Sequence, residues 1–202
     1  MIMNKRGGAE VVITNLKPYF ENPIVTELSA QENFVSPSEL KELNSLVNYF
    51  VENKLLYARH EKPRRFYCQL NLHHDKKYMT PLIHQLIDRA RSSTGIHESP
   101  IDPKLGIILS VIYPGGQVEF HKDLYDEPGY TNHRLCIMLQ RESHHSYDPI
   151  VHTPELVRVP MIVEPGTAWF FNASEHPHGT ELIEGESPRV VLQIGFQCST
   201  KN

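Results

Sequence analysis

From about residue 105 onward the chain is a succession of short apolar runs cut by Gly, Pro, Asn and Asp. This punctuation restricts it to a core built from sheets. The runs span 105–113, 118–121, 134–140, 156–163, 167–171 and 189–197. The last alternates strictly: Val190, Leu192, Ile194 and Phe196 share one face, the mark of a strand with one buried side. Six short strands separated by turns point to a β-sandwich or barrel. The first hundred residues read differently. Ser36-Pro37-Ser38-Glu39 carries an N-cap, a proline at the first helical position and a capping-box glutamate. Leu40, Leu43, Val47, Phe50 and Val51 then follow at helical spacing. A second helix opens at Thr80-Pro81, with Leu82, Ile83, Leu86, Ile87 and Ala90 as its apolar stripe. Between them, residues 65–72 alternate, with Phe66, Cys68, Leu70 and Leu72 opposite Tyr67, Gln69 and Asn71.

Helices first and strands later in one small chain predict an α+β fold, mainly β, with the helices packed on one sheet. At 202 residues, one domain is expected over 1–202, with 1–104 as support and 105–198 as the β core. A net charge of −4 and the lack of a basic stripe argue against a nucleic-acid partner. Lys62-Pro63-Arg64-Arg65 reads as a solvated strand entry rather than a phosphate patch. Three cysteines, an odd number without paired spacing, argue against a disulfide framework; Cys68 and Cys136 read as buried thiols. Residues 1–10 have no apolar signal-peptide core and no run reaches membrane-spanning length. The expectation is a cytoplasmic protein in a reducing compartment, without a membrane partner.

Two His-x-Asp triplets occur, His73-His74-Asp75 and His121-Lys122-Asp123. In a strand, positions two apart face the same way, so such a pair can reach one metal ion. With a third ligand from elsewhere this gives two imidazoles and one carboxylate on one face of a ferrous ion, leaving positions open. Context separates the triplets. His121 ends a strand–Pro-Gly-Gly-turn–strand segment that begins near Val111. Downstream, 167–171 delivers a loop with His176 and His178, and Arg189 opens the final strand. A buried arginine there wants an anion held bidentately, and a dicarboxylic cosubstrate supplies one. His73-x-Asp75 sits at a strand-to-helix junction and reads as surface loop.

With these residues in order, 105–197 resembles the double-stranded β-helix core of the Fe(II)/2-oxoglutarate dioxygenases, a jelly-roll or cupin-like fold. Tyr113-Pro114-Gly115-Gly116 followed by His121-x-Asp123, and Pro177-His178-Gly179 followed by Arg189, are similar to the prolyl-hydroxylase-like branch. Residues 134–138 and 169–173 are similar to the aspartyl/asparaginyl-hydroxylase-like branch. The resemblance implies iron on His121, Asp123 and His178, 2-oxoglutarate on Arg189 with Tyr113 hydrogen-bonding it, and O2 as second cosubstrate. It implies hydroxylation of a small molecule, an amino acid or a peptide side chain. An acid at 123 favours this over halogenation, where that position is small.

Alternatives accompany each residue. His178 fits the distal-ligand pattern better than His176, which otherwise lies in a loop near the mouth. Arg134 is either a holder of a substrate carboxylate or a surface cation at a strand start. Tyr125 and Tyr130 either face substrate or pack in their loop. His144, His145 and His152 lie in a polar loop over 141–154, and a solvated loop explains them better than a second metal. Trp169 reads as core. The acidic stretch 123–127 fits either a cationic substrate or a solvated loop. The competing class is a cupin-like metal protein, an isomerase or small-ligand binder, which gives no reason for Arg189.

Overall fold

The computed structural model describes residues 2–3, 9–10, 28–59, 64–123, 127–142, 148–152, 157–161 and 163–200. Its centre is an antiparallel sheet of seven strands. In chain order these are β3 (Leu28–Gln31), β4 (Tyr57–Ala58), β5 (Arg65–Gln69), β6 (Ile107–Ile112), β7 (Tyr130–Gln140), β10 (Ala168–Asn172) and β11 (Arg189–Ser199). They lie in the order β3-β10-β7-β11-β6-β5-β4. Two further pairs, β1 (Ile2–Met3) with β2 (Ala9–Glu10) and β8 (Asp148–His152) with β9 (Val157–Met161), stand apart from it.

Both helices cover one face. In α1 (Pro37–Glu52), Ser36 Oγ accepts from Glu39 N and Glu39 Oε2 accepts from Ser36 N, closing the expected capping box. In α2 (Pro81–Thr94), Thr80 Oγ1 accepts from Ile83 N. Their stripes, Leu43, Val47 and Phe50 and then Leu82, Ile83, Leu86, Ile87 and Ala90, bury against Cys68, Leu70, Leu109, Val111, Ile137 and the even positions 190–196 of β11. An ion pair of 2.6 Å from Arg89 to Glu39 ties the two helices together.

Three details differ from the sequence reading. The 118–121 run forms no regular strand; it pairs irregularly with 178–180, and His121 and His178 bridge as single residues. Strand β7 begins at Tyr130, four residues before the expected 134, because Asn132 and His133 lie in register with Gln197 and Phe196 of β11 despite their polarity. Strand β8 lies inside the segment read as a polar loop; only Ile150-Val151 signals it, too short a run to show a period. All three cysteines are buried and unpaired. Among the described residues, no helix is long and apolar enough to cross a membrane.

The sheet's other face is also covered. Val191, Met138, Cys136, Trp169 and Phe171 form a second, smaller apolar cluster there. The register sets polar side chains beside it. Arg65, Ile112 and Arg189 stand in one row across β5, β6 and β11; Tyr67, Ser110 and Val191 stand in the next. Gln193 follows, opposite Ile108 on one side and Cys136 on the other. Every one of these residues except Met138, Val191 and Ile112 lines a single cavity.

Candidate metal centre and its cavity

The cavity's rim is built by two backbone segments that clasp each other. His121 N donates to His178 O at 3.0 Å and His178 N to His121 O at 2.8 Å; Asp123 N donates to Ala173 O at 2.9 Å and Thr180 N to Val118 O at 2.9 Å. These bonds bring residues fifty or more positions apart in sequence side by side. His121, Asp123 and His178 then present ligand atoms that all lie within 4.8 Å of one another. They are the one such group among the described residues. His178, not His176, joins it.

Hydrogen bonding fixes the tautomer that each imidazole takes when neutral. His121 Nδ1 lies 2.7 Å from Glu119 O and His178 Nδ1 lies 2.9 Å from His176 O. A carbonyl only accepts, so each Nδ1 carries a proton, and the neutral form of each ring has its Nε2 lone pair facing inward. Those Nε2 atoms stand 3.4 and 3.8 Å from the Asp123 carboxylate oxygens. Adjacent donors about 2.1 Å from one octahedral ion lie about 3 Å apart, so the set closes on a cation with small shifts.

Electrostatics agree. Burial would push the Asp123 carboxyl up, but His121, Arg134 and His178 outweigh it and hold it at about 2. Burial pushes His178 down to about 4, helped by Arg134 and opposed by Asp123. The two groups thus stay anionic and neutral respectively near neutral pH, the forms a metal ligand needs. Asp123 Oδ2 is buried and accepts no hydrogen bond. Arg134 Nε is 2.6 Å from it, but that N–H is directed to Asn132 Oδ1 at 3.3 Å. The contact is therefore one of charge, and the oxygen keeps a lone pair for a cation.

Arg134 is 7% exposed, which removes the surface-cation reading. It is held from behind: Arg134 donates to Gln193 Oε1 at 2.6 Å, and Asn132 donates to Asp102 Oδ2 at 2.6 Å. Arg189, 4% exposed, lies deep in the cavity. Trp169 and Phe171 wall it, Phe171 meeting the His178 ring at 4.9 Å.

Other expectations are corrected. Tyr113 does not reach the cavity. It continues the helix-packed parity of Leu109 and Val111, sits edge-on to Phe66 at 5.6 Å and borders a different hollow with Phe50 and Leu56. Tyr67, from the neighbouring strand, stands on the cavity face instead. His176 is not at the mouth but 1% exposed, and it does not line the cavity. Arg65, read as part of a solvated strand entry, lines it. His73 and His74 form a turn of their own: His73 Nδ1 accepts from Gln69 N and His74 Nε2 meets Leu55 O. Tyr125, His144 and His145 fall outside the described residues, as does the side chain of His152.

Gly179 is required where it stands. A Cβ there would meet Val118 O at 2.6 Å and the Phe120 Cα at 3.2 Å, all backbone. Gly179→Ala must separate the two clasped segments. Its expected effect is a loss of about 1–3 kcal/mol of stability together with weaker Ni(II) binding, read by chemical denaturation and metal titration.

No family model matches the sequence, and no curated protein sequence matches it. Solved structures do match in shape. A Pseudomonas putida prolyl-4-hydroxylase superposes with a TM-score of 0.64 at 13% identity, covering 91% of this chain and 98% of its own. HygX from Streptomyces hygroscopicus, with nickel and 2-oxoglutarate bound, gives 0.63 at 14%, covering 92% and 87%. An oxidoreductase of the 2OG-Fe(II) oxygenase family from Burkholderia pseudomallei gives 0.62 at 13%, covering 94% of each. The chain has the double-stranded β-helix fold that these 2-oxoglutarate-Fe(II) oxygenases share.

Proposed function

We propose that the protein is an Fe(II)- and 2-oxoglutarate-dependent dioxygenase that hydroxylates a C–H bond of a small molecule, amino acid or peptide side chain. The observation that carries this reading is the pair of inward Nε2 lone pairs facing a buried carboxylate, with a buried arginine in the same cavity. His121, Asp123 and His178 hold the iron, and Arg189 takes the distal carboxylate of 2-oxoglutarate through its planar fork. With both bound, one oxygen atom of O2 goes to the substrate carbon and the other to succinate, with release of CO2.

The chain's own part is placement and exclusion of water. The backbone carbonyls of Glu119 and His176 hold each imidazole in the tautomer that leaves Nε2 to ligate. Trp169 and Phe171 cover one side of the site with apolar surface. Tyr67 and Ser110 border Arg189 and offer hydroxyls beside its ligand. The test is succinate formation by anaerobically reconstituted Fe(II) protein given 2-oxoglutarate and then O2. Succinate above a metal-free control is expected. Its absence across a broad panel of free amino acids, peptides and small acids sinks the reading.

A further inference from the structure

The cavity carries far more positive charge than one cosubstrate answers. Among the described residues, Arg59, Arg65, Arg134 and Arg189 line it against a single carboxylate, Asp123. A divalent ion adds two positive charges and 2-oxoglutarate removes two, so the surplus persists when the site is loaded. Two of the four arginines have assignments: Arg189 lies deepest, and Arg134 is in contact with Asp123, Asn132 and Gln193. Arg59 and Arg65 do not.

These two form a graded entry. Arg59 is exposed, and Arg65 is half-buried on the same row as Arg189 but two strands away. Two strand spacings put their backbones about 10 Å apart. The Arg59 guanidinium is held 5.3 Å over the Tyr67 ring, itself on the cavity face. Arg65 Nε is buried and finds no hydrogen-bond partner among the described residues. Burial and then Arg59, Arg134 and Arg189 lower its guanidinium to about 10, which leaves it charged at neutral pH. Gathering cations around an unpaired buried N–H is unfavourable unless an anion sits there in the working state.

We propose that Arg65 and Arg59 form a second anion subsite at the cavity mouth, so that the substrate oxidised at this centre carries a carboxylate or phosphate group. The subsite rests on the oxygenase reading above, in which Arg189 takes the cosubstrate. It reverses the charge preference that the acidic stretch 123–127 hinted at; of that stretch, 124–126 lie outside the described residues.

The single tryptophan, Trp169, lines the cavity and reports on its occupancy. Ni(II)-loaded protein is titrated with 2-oxoglutarate to saturation, then with inorganic phosphate, benzoate or neutral benzamide at constant ionic strength held with sodium chloride. A second saturable fluorescence change with phosphate or benzoate, and none with benzamide, is expected; which anion gives it identifies the group. Arg65→Gln should weaken this second binding about tenfold or more while 2-oxoglutarate affinity stays within about threefold. Arg59→Gln, at an exposed position that folding tolerates, should weaken it in the same direction. No second change in the 2-oxoglutarate-loaded wild type overturns the subsite. So does an Arg65→Gln protein that loses 2-oxoglutarate as badly as Arg189→Ala. Failure of the first titration, with 2-oxoglutarate itself, instead overturns the oxygenase reading.

Discussion

Asp123→Ala should abolish succinate formation and weaken Ni(II) or Fe(II) binding by more than the 10- to 100-fold that loss of a residue merely supporting a ligand typically costs. The carboxylate has two neighbours that compete to explain it: the imidazole pair, at 3.4 and 3.8 Å, and Arg134, at 2.6 Å. If its purpose were to neutralise Arg134, its removal would cost stability and leave metal affinity near the wild-type value. Loss of a buried ion-pair partner costs about 3–5 kcal/mol because the other charge stays behind. Both effects are expected in Asp123→Ala. The double variant Asp123→Ala/Arg134→Gln separates them, since it removes the stranded guanidinium and should recover much of the stability without restoring metal binding. Metal affinity within about threefold of wild type in Asp123→Ala would make the residue a counter-ion and end its assignment as a ligand.

What the sequence made legible follows from how locally each feature is encoded. The capping box at Ser36 and the stripe of α2 are written within one or two helical turns, and both helices begin where their caps place them. Strand β11 shows its buried face because polar or small residues, Gln193, Gly195 and Gln197, interrupt the apolar ones at every second place. Strand β6 hides its faces: all six residues of Ile107–Ile112 are buried, one side under the helices and the other in the cavity wall. Nothing in Ile-Ile-Leu-Ser-Val-Ile says which side is which, so the motif containing Tyr113 gave that residue to the wrong face. Only the register with β5 and β11 resolves it, setting Ile108 and Ser110 toward the site. The cluster of His121, Asp123 and His178 was readable from its residue types and order, but the strand period assumed for His121-x-Asp123 is not what gathers it: these residues lie outside any regular strand, and the backbone clasp with 173–180 brings them together. The support behind Arg134, Asp102 through Asn132 with Gln193 alongside, joins three separate segments and leaves no local trace. Arg65 was missed for a related reason. In a strand whose apolar face is plain, a cation on the other face looks solvated unless it lines a cavity, and the rest of this cavity's lining comes from distant segments, residues 118–123 and 178–180 among them.

Arg189→Ala should leave metal binding within about threefold of wild type and raise the Kd for 2-oxoglutarate about 30-fold or more. The magnitude follows from truncating one member of a buried, hydrogen-bonded charge pair, which costs about 2–5 kcal/mol. Arg189 suits that scale. It is 4% exposed, opens a strand anchored on both sides by β6 and β7, and so cannot swing to follow a displaced ligand. Arg189→Lys keeps the charge but loses the planar fork, and an intermediate affinity is expected, closer to alanine than to arginine. The measurement is the spectral change of the anaerobic Fe(II) protein on adding 2-oxoglutarate, titrated for wild type and both variants. The cupin-like alternative, a metal-dependent isomerase or small-ligand binder, predicts the opposite pattern: no spectral response in wild type, and none for either substitution to alter. A response in wild type that survives Arg189→Ala undiminished would move the diacid's grip to another cation of the cavity; were that cation the half-buried Arg65, the second anion subsite would fall with it.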